Sequence, residues 1–181
     1  MSALPTRQIR ASYTEQTIRV YQAYGDAIAD KALEAGTLVA PFSMSRMTWI
    51  KPSFLWMMYR SGWGLKDEGQ RRILAIDITR DGFEWALRNA SLSHGDAVDT
   101  SKPVRVQWDP ERSINLGRLE HRSIQIGLRG EAVRRYVEEW IVSITEVTEL
   151  AQRIEATRDP ALLPVERPYP VSAEIAAILS M

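Results

Sequence analysis

Cysteine is missing from the sequence, which excludes disulfides, thiolate metal sites and cysteine nucleophiles. Histidine is nearly missing: His94 and His121 are too few for a histidine-based zinc site, so no metal is expected. Lysine is scarce (Lys31, Lys51, Lys66 and Lys102), and most of the positive charge is arginine. Arginine suits two-pronged recognition of phosphate or carboxylate, although a genome rich in guanine and cytosine gives the same bias. Net charge is absent as well, with 23 basic residues against 23 acidic ones. That balance argues against coating nucleic acid by bulk charge and leaves room for a local basic patch. No apolar run approaches the ~18 residues that span a bilayer, and the opening MSALPTRQIRASYTEQ has no apolar secretory core. A cytoplasmic protein without membrane association is the expectation. The familiar phosphate and nucleophile motifs are missing too: no G-x-x-x-x-G-K-[ST], no G-x-G-x-x-G after a strand, no G-x-S-x-G.

What is present reads as one domain over 1–181, with 45% apolar and 25% charged residues. RQIRA (7–11) is a strand candidate. Ser12 and Glu15 have capping-box spacing, and Ile18, Tyr21, Ile28 and Ala32 recur at helical spacing, so 13–35 is expected as one long amphipathic helix stopped by Gly36. PSFLWMMYRS (52–61) reads as a short helix and RRILAIDIT (71–79) as a central strand. A helix capped by Asp81 follows at 82–90. Residues 91–103 read as a polar loop, and VRVQW (104–108) and RSIQIGL (122–128) as strands joined by a turn-rich connection. Residues 130–140 read as helix, 141–147 as strand, 148–156 as helix, and about 158–181 as a proline-rich arm. The irregular alternation of strands and helices predicts α+β with a mixed, mostly antiparallel sheet rather than a doubly wound one.

Residues 40–64, APFSMSRMTWIKPSFLWMMYRSGWG, stand apart. They hold three of the six tryptophans, four of the six methionines, and Arg46, Lys51 and Arg60. No acid occurs between Glu34 and Asp67. On a helix starting near Pro52, Trp56, Tyr59 and Arg60 share a face. Aromatic faces stack on bases or a nicotinamide, and cations meet phosphate. The same tryptophans and methionines also suit a core. Arg10, at the end of the first strand beside a helix start, fits an anion pocket, with Tyr13 next to it to stack; a salt bridge to Glu15 or Asp77 is the alternative. Gln125 alternates with Ser123 and Gly127 on one face of its strand, as a cleft wall would. Glu111 and Glu120 form a candidate carboxylate pair, or two solvated loop charges.

RQIRASYTEQTIRVYQAY, FSMSRMTWIKPSFLWMMYRSGW, RSIQIGLRGEAVRRYV and ITEVTELAQRI together resemble the domain of unknown function 4291 family over nearly the whole chain. A looser resemblance is to the ADP-ribosyltransferase superfamily. PFSMSRMTW is similar to the Phe…Arg…Met segment of its DNA-modifying branch, and HRSIQIGLRGEAV to its terminal strand. That resemblance implies an ADP-ribosyltransferase-like fold and NAD in a cleft lined by Arg10, Tyr13, Arg46, Trp49 and Lys51. Trp56, Tyr59 and Arg60 would meet the acceptor, which could be nucleic acid. Where the superfamily places its catalytic glutamate this strand has Gln125, so Gln125 or Glu120 is left to stabilise the reacting sugar. A non-catalytic module for single-stranded nucleic acid, and an interaction or dimerisation domain using residues 40–64, are the competing expectations. Oligomeric state is left open.

Overall fold

The computed structural model describes residues 5–94 and 98–181. The chain opens with β1 (Arg10–Ala11), inside the stretch expected as strand. The long helix expected over 13–35 is not there. Its first part is β2 (Thr17–Tyr24), and only Asp26–Ala35 is helical, as α1. TIRVYQAY is rich in β-branched and aromatic residues, and Ile18, Val20 and Gln22 alternate into the interior. The helical spacing was a coincidence of two elements joined at Gly25, the residue that caps α1. Ser12 caps no helix; its hydroxyl donates to the Val165 carbonyl at 2.7 Å. Gly36 does end α1, with a left-handed φ of 71°.

A loop over 37–47 leads to β3 (Thr48–Ile50) and α2 (Phe54–Ser61). Ser53 caps α2, its Oγ accepting from the Trp56 N–H at 3.1 Å, so Pro52 lies just outside the helix. Next come β4 (Arg72–Thr79) and α3 (Arg80–Arg88). The cap of α3 is Thr79, accepting from the Gly82 N–H, and Asp81 sits in the first turn. Of the polar loop expected at 91–103, Ala90–Leu92 is strand β5, and its residues 95–97 lie outside the described residues.

The connection expected as turns is mostly strand: β6 runs Val104–Arg112 and β7 runs Arg118–Leu128. The pairing register shifts between Pro110 and Arg112, where proline has no N–H for the ladder. Helix α4 (Glu131–Arg135) continues as a π-helical turn through Trp140 into β8 (Ile141–Glu146), and α5 (Thr148–Thr157) follows. The C-terminal arm carries β9 (Arg167–Pro168) and α6 (Ala173–Leu179).

Among the described residues the strands form three sheets, ordered β2-β4-β8, β3-β7-β6-β5 and β1-β9. Pairing is antiparallel except between β5 and β6. The fold is α+β, as expected. β4 is central in its sheet, which explains its nearly unbroken apolar run; Ile73, Leu74, Ile76 and Ile78 are fully buried. The arm is part of the core. Tyr169, Ile175 and Leu179 are buried, and the Trp108 indole donates to the Leu179 carbonyl at 3.1 Å.

The two larger sheets meet where β2 passes β3. The Tyr21 N–H donates to the Lys51 carbonyl at 2.8 Å. The Gln22 amide donates to Thr48 Oγ1 at 2.7 Å and to the Trp49 carbonyl at 3.1 Å, and its oxygen accepts from the buried Tyr136 hydroxyl at 2.8 Å.

Gly82 shows how tightly the helical layer is packed. A Cβ there would overlap the Trp140 indole. Gly82→Ala should gain ~1 kcal/mol of helix propensity and lose about 1–3 kcal/mol to overpacking. Urea unfolding should therefore register a net loss; a net gain would show that the Trp140 ring moves aside freely.

Candidate functional site

A cavity of about 580 Å³ opens beside this junction. β2 contributes Gln22 and Tyr24, the 37–47 loop Arg46, β3 Trp49, α2 Arg60, and β6 and β7 Gln107 and Gln125. Lys51, just after β3, lines it too. None of the lining residues is Asp or Glu. The acid-free stretch between Glu34 and Asp67 thus has a spatial counterpart: three cations face one space without a carboxylate on its wall.

Several wall residues are held from behind. Trp49 pairs with Gly127 across β3 and β7, and its indole lies against that glycine, where a Cβ would come within 2.9 Å of the ring. Gln107 faces Gln125 across β6 and β7, and Asp109 binds both: its Oδ1 accepts from Gln107 Nε2 at 2.9 Å, and its Oδ2 from Gln125 Nε2 at 2.7 Å. A carboxylate accepts only, so both amides must turn their nitrogens toward Asp109, which frees their oxygens. Arg60 sits in the last turn of α2, where the helix dipole favours a cation.

Lys51 is the unusual member. It is 5% exposed and makes no ion pair among the described residues. Its ammonium has the Trp49 carbonyl at 3.5 Å and the Trp56 ring at 5.5 Å. Burial, reinforced by Arg60, pushes its pKa down to about 7, against a smaller opposing pull from Asp109. Tyr24 is half-buried, with its hydroxyl enclosed beside Gln22 and Thr48, and that desolvation pushes it up to about 12.

The expected site residues divide. Arg46, Trp49, Lys51, Arg60 and Gln125 come together in the cavity. Trp56 lies behind Lys51, buried, with its indole N–H unpartnered among the described residues. Tyr59 points outward, 43% exposed, with the Arg112 guanidinium stacked 3.6 Å from its ring centre. Arg10 and Tyr13 lie elsewhere. Arg10 donates to the Glu166 carbonyl at 3.1 Å, so neither alternative partner, Glu15 or Asp77, is the one it meets; Asp77 pairs with Arg19 at 2.8 Å. Tyr13 donates to the Pro168 carbonyl at 2.8 Å and packs against Arg167 and Tyr169. Both anchor the C-terminal arm. Glu120 is exposed and is not among the residues that line the cavity.

The acid pair forms with a different partner. Glu111 is buried and accepts from Ser53 Oγ at 2.9 Å. Its acidic neighbour is Glu166, whose Oε1 accepts from the Phe54 N–H at 2.7 Å. Burial raises the pKa of both, and Glu166, a half-exposed residue with an enclosed carboxylate, reaches about 8 with Glu111 adding to the rise. Both sit at the N-terminal end of α2, opposite Arg60.

Gln22, Tyr24, Gln107 and Asp109 escaped the sequence reading. Gln22 and Tyr24 were hidden inside the supposed helix. Gln107 and Asp109 left a usable signal, since in an alternating strand they share a face with each other.

A family model described as Domain of unknown function (DUF4291) matches residues 8–169, and the chain belongs to that family. None of the curated proteins compared matches it. No helix among the described residues is long and apolar enough to cross a membrane.

Lys51 and Glu166 make stability depend on pH in opposite senses. Lys51 has a native pKa near 7 against an ordinary 10.5, so between those values the unfolded chain holds more protons and stability rises with pH. Glu166 has a native pKa near 8 against 4.5, so between those values the native state holds more protons and stability falls as pH rises. Lys51→Met should be more stable than the parent at pH 6, with the advantage shrinking by up to ~1.4 kcal/mol per pH unit above pH 7. Urea unfolding from pH 6 to 10 checks this; a difference that does not vary with pH would show that Lys51 is solvated.

Proposed function

We propose that the cavity binds a phosphate-bearing nucleotide, NAD, and that the protein transfers its ADP-ribosyl group. The observation that carries this reading is the convergence of Arg46, Lys51 and Arg60 on one space with no acid on its wall. Cations so placed meet phosphate through charge-assisted hydrogen bonds, and a guanidinium meets it two-pronged. The volume falls in the range of small-molecule sites. Trp49, braced on Gly127, offers a flat face for the nicotinamide. Breaking the glycosidic bond leaves a positive, oxocarbenium-like sugar. The Gln125 oxygen, freed by the bond from Nε2 to Asp109, is an acceptor suited to that charge. The acceptor in this reading is nucleic acid, with exposed Tyr59 beside Arg60 as its stacking surface. Arg10, Tyr13 and Glu120 take no part.

Tryptophan fluorescence tests the binding. NAD should give a saturable change, and Arg46→Ala or Arg60→Ala should weaken it about tenfold, or ~1.4 kcal/mol. ADP-ribose should compete. Nicotinamide release with a single-stranded oligonucleotide present should follow, and fall in Gln125→Ala. A flat response to millimolar NAD removes this reading. Affinity for single strands that falls steeply with salt, without any response to NAD, would favour a non-catalytic module instead.

A further inference from the structure

The four lysines differ sharply in surroundings. Lys31 pairs with Glu34 at 2.9 Å on the surface, and Lys102 donates to the Ala90 carbonyl at 3.1 Å. Lys66 is exposed. Lys51 alone lines the cavity, and no carboxylate neutralises it among the described residues. The groups around it are Arg60 on α2, Arg46 on the preceding loop, Asp109 on β6, and Tyr21 and Tyr24 on β2. Asp109 is already engaged by two glutamine amides. An amine hidden from water next to guanidinium groups gives up its proton more readily than one in solvent.

We propose that Lys51 is a nucleophile that condenses with a phosphorylated aldehyde, its phosphate held by Arg46 and Arg60. The pKa near 7 supports this, because an appreciable fraction of the amine is neutral at physiological pH. The neutral Nζ lone pair attacks the aldehyde carbon. The nitrogen passes one of its two protons, relayed by water, to the carbonyl oxygen, which becomes the hydroxyl of a neutral carbinolamine. That hydroxyl leaves as water with the nitrogen's second proton, giving an imine. One amine and one aldehyde yield one imine and one water, with no change in oxidation state. The two arginines supply the selectivity for an aldehyde that also carries phosphate, whether an open-chain sugar phosphate or a pyridoxal phosphate.

This inference rests on the proposed reading only in using the same anion-holding wall, and the two can fail separately. The full chain is incubated with pyridoxal 5′-phosphate, with unphosphorylated pyridoxal, or with glyceraldehyde 3-phosphate, then reduced with borohydride and mapped by peptide mass. Pyridoxal 5′-phosphate or glyceraldehyde 3-phosphate should modify Lys51 at least ~10-fold faster than Lys31, Lys66 or Lys102. Which of the two reacts faster distinguishes the sources. Unphosphorylated pyridoxal should show a clearly smaller preference, and the double variant Arg46→Ala, Arg60→Ala should cut the preference for the phosphorylated aldehydes to that smaller level. Lys51→Arg, which keeps a cation in place, should abolish the label at that position while its unfolding curve shows that it folds. Lowering the pH from 8 to 6 should slow Lys51 labelling about tenfold. Equal labelling of all four lysines, or failure of both phosphorylated aldehydes to react at Lys51, overturns the proposal. Lys51 labelling without any fluorescence response to NAD leaves the imine standing and removes NAD; an NAD response without labelling does the reverse.

Discussion

Gln22 joins the two larger sheets, and the cavity lies where it does so. One buried amide reaches Thr48 and the Trp49 carbonyl in β3 and takes the Tyr136 hydroxyl from the π-helical turn. A buried amide of this kind holds its place because every polar atom it faces would otherwise be stranded away from water. Tyr21 adds a main-chain bond to Lys51 one residue earlier. Through these contacts β2 fixes the Thr48 side chain and the carbonyls of Trp49 and Lys51, so the cation-bearing segment is set by a strand remote in sequence.

Helix α2 separates charge along its length. Its N-terminal N–H groups face Glu166 and Ser53, with Glu111 behind, while Arg60 closes its last turn. That arrangement follows the helix dipole at both ends. It also keeps the carboxylates of Glu111 and Glu166 away from the cavity wall, where they would otherwise cancel the cations. Arg10 has its place at the acidic end, beside two carboxylates, and this accounts for its absence from the cavity.

Much of this was legible in the sequence. The acid-free span from Glu34 to Asp67 marked Arg46, Lys51 and Arg60 as cations without local partners, and the alternation around Gln125 placed it on a face with Gly127. An apolar run announced β4 and alternation announced the second half of β7, because burial leaves a direct trace in the sequence. The failures came where two signals overlapped. Thr17–Tyr24 has residues that satisfy both a helical and an alternating pattern, and β propensity with tertiary pairing to β4 decided between them. The Glu111–Glu120 pairing failed because proximity in sequence does not reveal which face a residue takes; Glu166, 55 positions from Glu111, reaches it only through the fold of the arm.

The match to the family stops at Tyr169, while the protein's interior does not. Ile175 and Leu179 are wholly enclosed, and the last turn of α6 supplies the carbonyls that the Trp108 indole and the Arg7 guanidinium use. A chain trimmed to the matched boundary would bare a greasy flank on α3 and β5 and strand an indole N–H. Such a trimmed chain would be sticky, and poor behaviour during purification would reflect its missing last helix rather than any property of the ligand cavity.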